Sequence, residues 1–289
     1  MRLVFFILII FWAISPHLAH SEGEESKSYG GAQEFEGFYI QGYGAEGEKT
    51  WDVKGDTAQI LGNTIEIFKV DGNQYGSQLM NLKAQKGKVD RVTGNIHLET
   101  DVVMTSQDGG QFTTDFIDWK RSEDLVLTSA PVFLNHEQRG MKANGIGLWA
   151  KPGTKFARIE KDVTIKVRSE PANPHSSIVT ITSNGPFEIF QDQNKARMTK
   201  NVVAVHEERT LTADQMDIYF DPKIKALKEI VCSGNVLILQ GGSSTQSEKA
   251  IYTAATDKLE LVGSPKLIMV DDGKMGMGDG LGMGDSTKN

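Results

Sequence analysis

The sequence predicts an all-β protein built of repeated antiparallel hairpins, on three observations. Residues 84–119 hold short runs that alternate apolar and polar side chains: Asn95-Ile-His-Leu-Glu99, Val102-Val-Met-Thr105, and Phe112 to Trp119. Turn formers stand between them, namely Lys86-Gly87, Asp90, Thr93-Gly94, Asp101 and Asp108-Gly-Gly110. Alternation bounded by Gly and Asp is what half-buried strands joined by tight turns require. The same series returns later. Asn201-Val-Val-Ala204 follows Asp101-Val-Val-Met104, Leu211-Thr-Ala-Asp214 follows Phe112-Thr-Thr-Asp115, and Ser233-Gly-Asn-Val236 follows Thr93-Gly-Asn-Ile96. Such repetition marks a fold assembled from like units. Helical periodicity is scarce. Only residues 223–230 would take a turn of helix, and a strand pair serves them equally well.

Taken in order, the chain opens with Arg2 and an apolar run from Leu3 to Ile14, broken by Ser15-Pro16 and followed by the small-residue site Ala19-His-Ser21. The run is shorter than the ~20 residues a spanning helix needs. Residues 1–21 therefore read as a signal peptide, or as a short N-terminal anchor if retained. Either way the bulk of the protein lies outside the cytoplasm. Residues 22–33 are acidic and aperiodic, a flexible leader. A first strand-rich unit covers 34–168. It includes Trp51-Asp-Val53 leading into Gly55-Asp56, Thr64-Ile-Glu-Ile-Phe68, and a hairpin turn at Asp71-Gly-Asn73. Residues 169–177, with Pro171 and Pro174, form a linker. A second unit covers 178–272. Pro131, Pro186 and Pro265 each open an apolar strand. The Gly- and Met-rich residues 273–289 read as a disordered tail.

Composition removes several function classes. The chain has 289 residues, 39% hydrophobic and 24% charged, in keeping with an ordered protein. A net charge of −7 argues against a nucleic-acid partner, which needs clustered Lys and Arg. The single cysteine, Cys232, excludes an internal disulfide and reads as a buried small hydrophobe. No histidine pair outside residues 1–21 has metal-ligand spacing, and no nucleophile elbow or phosphate loop is present, so neither a metal nor a cofactor is expected and the protein does not read as an enzyme. Asp115, Asp118, Asp214 and Asp217 resemble paired carboxylates. The apolar parity switches at the same Asp in both copies, however, so a β-bulge with local side-chain-to-backbone bonds is expected there.

The motifs also carry a resemblance. Residues 35–167 resemble LptC of the lipopolysaccharide-transport bridge, through Trp51-Asp-Val-Lys-Gly-Asp-Thr-Ala58, Ala84-Gln-Lys-Gly-Lys-Val-Asp90, Gly94-Asn-Ile-His-Leu98, Asp101-Val-Val-Met-Thr-Ser106 and Phe112-Thr-Thr-Asp115. Residues 178–272 are similar to the OstA-like domain of LptA, through Ile181-Thr-Ser-Asn-Gly-Pro186, Asn201-Val-Val203, Leu211-Thr-Ala-Asp214 and Ser233-Gly-Asn-Val236. The resemblance implies two tandem antiparallel open β-jellyroll units stacked edge to edge, in the periplasm. It implies a hydrophobic trough for the acyl chains of lipopolysaccharide. The implied partners are the inner-membrane lipopolysaccharide ABC transporter complex, other OstA-like jellyroll proteins and the outer-membrane translocon, with end-to-end self-association. The other reading is an extracytoplasmic β-sandwich scaffold or glycan-binding module, for which an aromatic fraction of 8% is low.

Strand parity selects the residues that would face the trough. In the first unit they are Ile65, Ile67, Ile96, Leu98, Val102, Met104 and Phe112. In the second they are Phe187, Ile189, Val202, Leu211, Met216, Ile218, Val236, Ile238 and Leu261. His97, Glu99 and Glu260 should face outward. The mature chain is expected to begin at Glu22, which intact-mass measurement of periplasmic protein checks. A full-length species in the membrane fraction would establish the anchor instead.

Overall fold

The computed structural model describes residues 33–43, 46–75, 79–168, 177–221, 223, 227–256 and 258–269. The signal segment, the tail, and nearly all of the leader and linker expected above lie outside the described residues. The first half comprises β1 (Gln33–Tyr43), β2 (Lys49–Leu61), β3 (Thr64–Gln74), β4 (Met80–Asp90), β5 (Ile96–Ser106), β6 (Gly110–Lys120), β7 (Leu125–His136), β8 (Met141–Lys151) and β9 (Phe156–Arg168). The second comprises β10 (Ile178–Ser183), β11 (Phe187–Phe190), β12 (Lys195–His206), β13 (Arg209–Phe220), β14 (Leu227–Gln240), β15 (Ser243–Thr253), β16 (Lys258–Val262) and β17 (Lys266–Ile268). All belong to one antiparallel sheet in which sequence neighbours pair, except that β10 and β11 each lie between β9 and β12, and β16 and β17 both pair with β15. Residues 227–230 are strand, not helix.

Near its middle, almost every long strand has a break in register. Examples are Glu99/Val102 in β5, Thr114/Asp118 in β6, Thr199/Val202 in β12 and Ser233/Val236 in β14. The backbone is left-handed there at Thr100, Asp101, Asp162, Lys200, Asn201 and Asn235. Extra residues of this kind bend a strand sharply. The consequence shows in the core, where one cluster contains side chains from both sides of the break, such as Leu98 with Met104 and Met198 with Val202. Val102, Phe112 and Val132 have no exposed surface, although a sheet alone leaves both faces open. No α-helix occurs among the described residues, so the cover is the sheet itself, folded over along its line of corners.

This geometry corrects several expected turns. Gly55-Asp56, Asp71-Gly-Asn73, Lys86-Gly87 and Asp101 lie inside β2, β3, β4 and β5, not between strands. A corner interrupts alternation as a turn does, yet the strand keeps the same neighbours on either side of it. The runs 95–99 and 102–105 are thus mostly one strand, β5. The prolines belong to the same device: Pro131 sits at the β7 register break, Pro186 between β10 and β11, and Pro265 between β16 and β17. A residue without an N–H is tolerated where the ladder already lapses.

The two halves join by strand pairing. β9 pairs with β10 through Ile165↔Ile181 and with β11 through Ile159↔Phe187. Arg168 and Ile178 are themselves Cα partners, so the connection returns to its point of departure. The amides of 178–183 should therefore exchange as slowly as those of β8, measured by hydrogen exchange on the intact chain. Fast exchange there would mean two independent bodies. Phe112→Ala, at a position with 0% exposure, should cost about 3–5 kcal/mol in chemical unfolding.

Candidate functional site

The interior is organised in rows that run across the strands. Ile65, Val89, Ile96, Trp119 and Val126 are successive cross-strand partners, and the row continues through Ala150, Ala157, Ile189, Ala196 and Ile218 to Ile230. Beyond the corners a second row passes from Leu82 through Met104, Phe112, Leu134, Ala143, Ile165, Ile181, Ala204 and Leu211 to Ile238. Neither row is interrupted at the join between β9 and the second half.

All sixteen residues chosen by parity lie on this inner surface. Ile67, Leu98, Val102, Met104, Phe112, Phe187, Ile189, Val202, Met216, Ile218 and Val236 are buried, while Ile65, Ile96, Leu211, Ile238 and Leu261 are half-buried against the core. Packing varies along the rows. The largest fully buried side chains run from Met104 on β5 and Phe112 on β6 through Leu134, Leu148, Ile159, Ile165 and Ile189 to Met198 on β12. Toward β2–β7 the interior opens into a cavity of about 410 Å³. Ile65, Ile67, Ile96, Leu98 and Met104 line it. Parity reasoning missed Phe38, Trp51, Val53, Val70, Met80, Leu82, Val89, Ile117, Trp119 and Val126. Val70 was hidden by Lys69, whose left-handed backbone (φ 52°) shifts the inward parity after Ile67. Val89 was recoverable from its pairing between Ile65 and Ile96.

Polar groups stand at opposite strand ends of this cavity. At one, the buried Asp52 carboxylate accepts hydrogen bonds from Lys49 Nζ (2.6 Å), Tyr75 Oη (2.8 Å) and Asn73 Nδ2 (2.9 Å). Burial opposes its charge, but the bonds from Lys49, Asn73 and Tyr75 prevail and bring its pKa down to about 2. At the other end lie Asp90, Arg91, Gly94 and Arg121. Asp90 accepts the backbone N–H of Val92 (2.9 Å) and Thr93 (2.8 Å), and these bonds, Thr93 foremost, hold its carboxyl below the ordinary range. The Arg121 guanidinium lies 5.4 Å from the Trp119 ring centre. The Trp119 indole Nε1–H is buried and has no acceptor, at a cost of roughly 1–3 kcal/mol if left so.

The repeated aspartates behave differently from one another. Register breaks do occur beside Asp115 and Asp214, as the parity switch predicts. Beside Asp115 a local side-chain-to-backbone bond is made by a hydroxyl instead, Thr114 Oγ1 donating to the Phe116 carbonyl (3.4 Å). The carboxylates bind side chains across the sheet. Asp118 meets His97 Nδ1 (2.7 Å), Asp214 accepts from Asn235 (2.8 Å), and Asp217 accepts from Arg197 Nε (2.7 Å) beside Lys195 Nζ at 3.2 Å. Cys232 is buried, and burial, with the Asp217 charge, pushes its thiol up to about 12. An inert thiol results.

Residues 180–282 match the family described as LptA/(LptD N-terminal domain) LPS transport protein. The second half is thus similar to an OstA-like unit of lipopolysaccharide transport. That family is one of transport proteins, not enzymes. A solved structure of LptH, the LptA-homologous periplasmic component of the lipopolysaccharide transport device from Pseudomonas aeruginosa, aligns at 10% identity over 66% of this chain and 95% of that chain, with a TM-score of 0.21. No curated protein matches the sequence.

The Asp52 cluster predicts a specific acid limb. Its folded pKa of about 2 lies below the ordinary 3.8, so the stability it contributes is complete above that ordinary value and lost as pH falls through about 2. Asp52→Asn should flatten this part of the stability–pH curve, followed by urea unfolding from about pH 5 downward. A curve parallel to that of the parent protein would contradict the assignment.

Proposed function

We propose that this chain is a non-enzymatic periplasmic carrier of lipopolysaccharide, holding acyl chains between the two layers of its folded sheet. The observation that carries the reading is the pair of apolar rows that cross from the first half to the second without a break, in a chain whose second half matches a lipopolysaccharide-transport family. An amphiphile in transit needs continuous apolar cover, since each CH₂ exposed to water costs about 0.8 kcal/mol. The division at 34–168 and 178–272 gives an LptC-like unit followed by an LptA-like one, and residues 1–21 would deliver or anchor the protein at the inner membrane.

The terminal strands support a place in a bridge. Among the described residues, β1 pairs only with β2, and β16 and β17 only with β15. Phe35, Tyr39, Ile40 and Tyr43 are exposed at the first edge and Leu259, Leu267 and Ile268 at the second. Free edges flanked by apolar side chains accept further strands. In this reading the β1 edge takes the inner-membrane transporter and the β16–β17 edge takes another OstA-like protein or the outer-membrane translocon. The tightly packed middle strands then form the narrow part of the path, which must separate as a lipid passes.

Two measurements test the reading. Protein purified from a lipopolysaccharide-producing host should carry lipopolysaccharide detectable by mass spectrometry. A photo-crosslinker at Ile65, Ile96, Leu211 or Ile238 should capture it, while one at His97, Glu99 or Glu260 should not. Equal labelling of both sets would rule out the trough.

A further inference from the structure

We propose that the outer margin of the lip at the Asp52 end, across β1–β7, is a track for the saccharide part of the amphiphile whose chains lie in the cavity. The inference rests on the trough reading and adds where the headgroup runs once the chains are inside. A row of amide side chains crosses this outer face, from Gln41 on β1 through Asn73, Asn81 and Gln111 to Asn135 on β7. They are joined by cross-strand pairing, with Asp52 and Thr105 as the intervening partners. The row backs the apolar one that holds Leu82, Met104, Phe112 and Leu134. Asn73, Asn81, Gln111 and Asn135 each stand one residue in from the end of a strand, so the row follows the lip itself. Six inter-strand steps make it roughly 30 Å long.

The two limbs of the folded sheet differ on their outer faces. Behind the apolar row of Ile65, Val89 and Ile96, opposed charges face one another, Glu66 with Lys86 at 2.9 Å and His97 with Asp118 at 2.7 Å. Along the other lip, Asp52 is the one charged member of its row, and it is held by Lys49 at 2.6 Å. Exposed aromatic rings flank the amides instead. Tyr39 and Tyr43 are 48% and 54% exposed, with Gln41 between them on the same face of β1. Tyr39 Oη donates to Gln41 Oε1 (2.8 Å), and Gln41 Nε2 donates to Tyr43 Oη (2.7 Å). At the far end Phe133, two residues before Asn135 and on its side of β7, is 54% exposed. Asn81 Nδ2 donates to Asn73 Oδ1 (2.9 Å), which fixes the amides in the middle. Close by, Asp71 and Lys83 face each other at 3.9 Å. A sugar ring has the matching chemistry, with C–H groups on its faces and hydroxyls at its edge. Aromatic faces take the first, and amides, which both donate and accept, take the second. Strand addition at the β1 edge uses the backbone and leaves this face uncovered.

Calorimetric titration of the full chain with fully deacylated lipopolysaccharide tests this, since that probe keeps the glycan and lacks the chains. The parent chain should bind it, and the affinity should hold in high salt, as contacts with neutral groups require. Tyr43→Ala with Phe133→Ala should weaken binding about tenfold, whereas Tyr43→Phe, which keeps the ring, should retain most of it. Glu99→Gln, on the other limb, should leave it unchanged. Should the double variant misfold, Gln111→Ala alone, at an exposed position, should weaken binding about twofold or more. Capture of intact lipopolysaccharide by a crosslinker at Ile96, read on the same variants, should persist. Absence of glycan binding by the parent chain, with capture at Ile96 intact, overturns the track and leaves the trough. Binding that survives the aromatic double variant, or that collapses in high salt, overturns the track as well. Glycan binding without capture at Ile96 upholds the saccharide track and overturns the trough instead.

Discussion

A sheet that has no other layer to pack against must cover its own apolar face, and the mid-strand corners are what make this possible. Each corner adds residues on one strand opposite fewer on the next, and several place a non-glycine residue in the left-handed region. Such conformations are individually unfavourable, by about 1–3 kcal/mol. They persist because the fold-over removes long rows of Val, Ile, Leu, Met and Phe from water. Everything else follows from this bend: the position of the prolines, the closure of the interior and the opening of two lips at the strand ends.

The interior is uneven, and the unevenness is informative. Strands β5–β12 contribute large side chains with essentially no exposure, whereas one end of the β1–β7 half holds a cavity and β13–β16 keep Leu211, Ile230, Ile238 and Leu261 half-buried. Tight packing at the join holds the halves in register. Looser packing toward the ends leaves room for a guest. A carrier needs both features, because a wholly filled core admits nothing and a wholly open one does not hold its shape.

Charge is confined to the outer surface and to the strand ends. Cross-strand partners His97 and Asp118, and Arg197 and Asp217, lie on the outer face directly behind apolar rows, and Lys88 and Glu66 continue the pattern. The part-exposed pairs His97–Asp118 and Lys88–Glu66 add little stability, on the order of 1 kcal/mol or less each, whereas Asp217 is itself buried beside Arg197 and Lys195. They do oppose a register slip, which would turn charges inward.

Alternation along Asn95–Glu99, Phe112–Trp119 and Leu211–Phe220 was enough to fix the fold class and to point sixteen side chains inward, because side-chain parity is a local property of an extended backbone. The parity switch at Asp115 and Asp214 likewise located two corners. The sequence did not distinguish a corner from a turn, so Asp71-Gly-Asn73 and Asp101 were assigned to the wrong role. The distinction depends on which strands lie alongside, and that is a matter of long-range pairing. Nor could it reveal that Asp217 faces Arg197, or that Trp51 and Trp119 line one cavity. Such contacts join residues far apart in the chain, and only the register of the folded sheet brings them together.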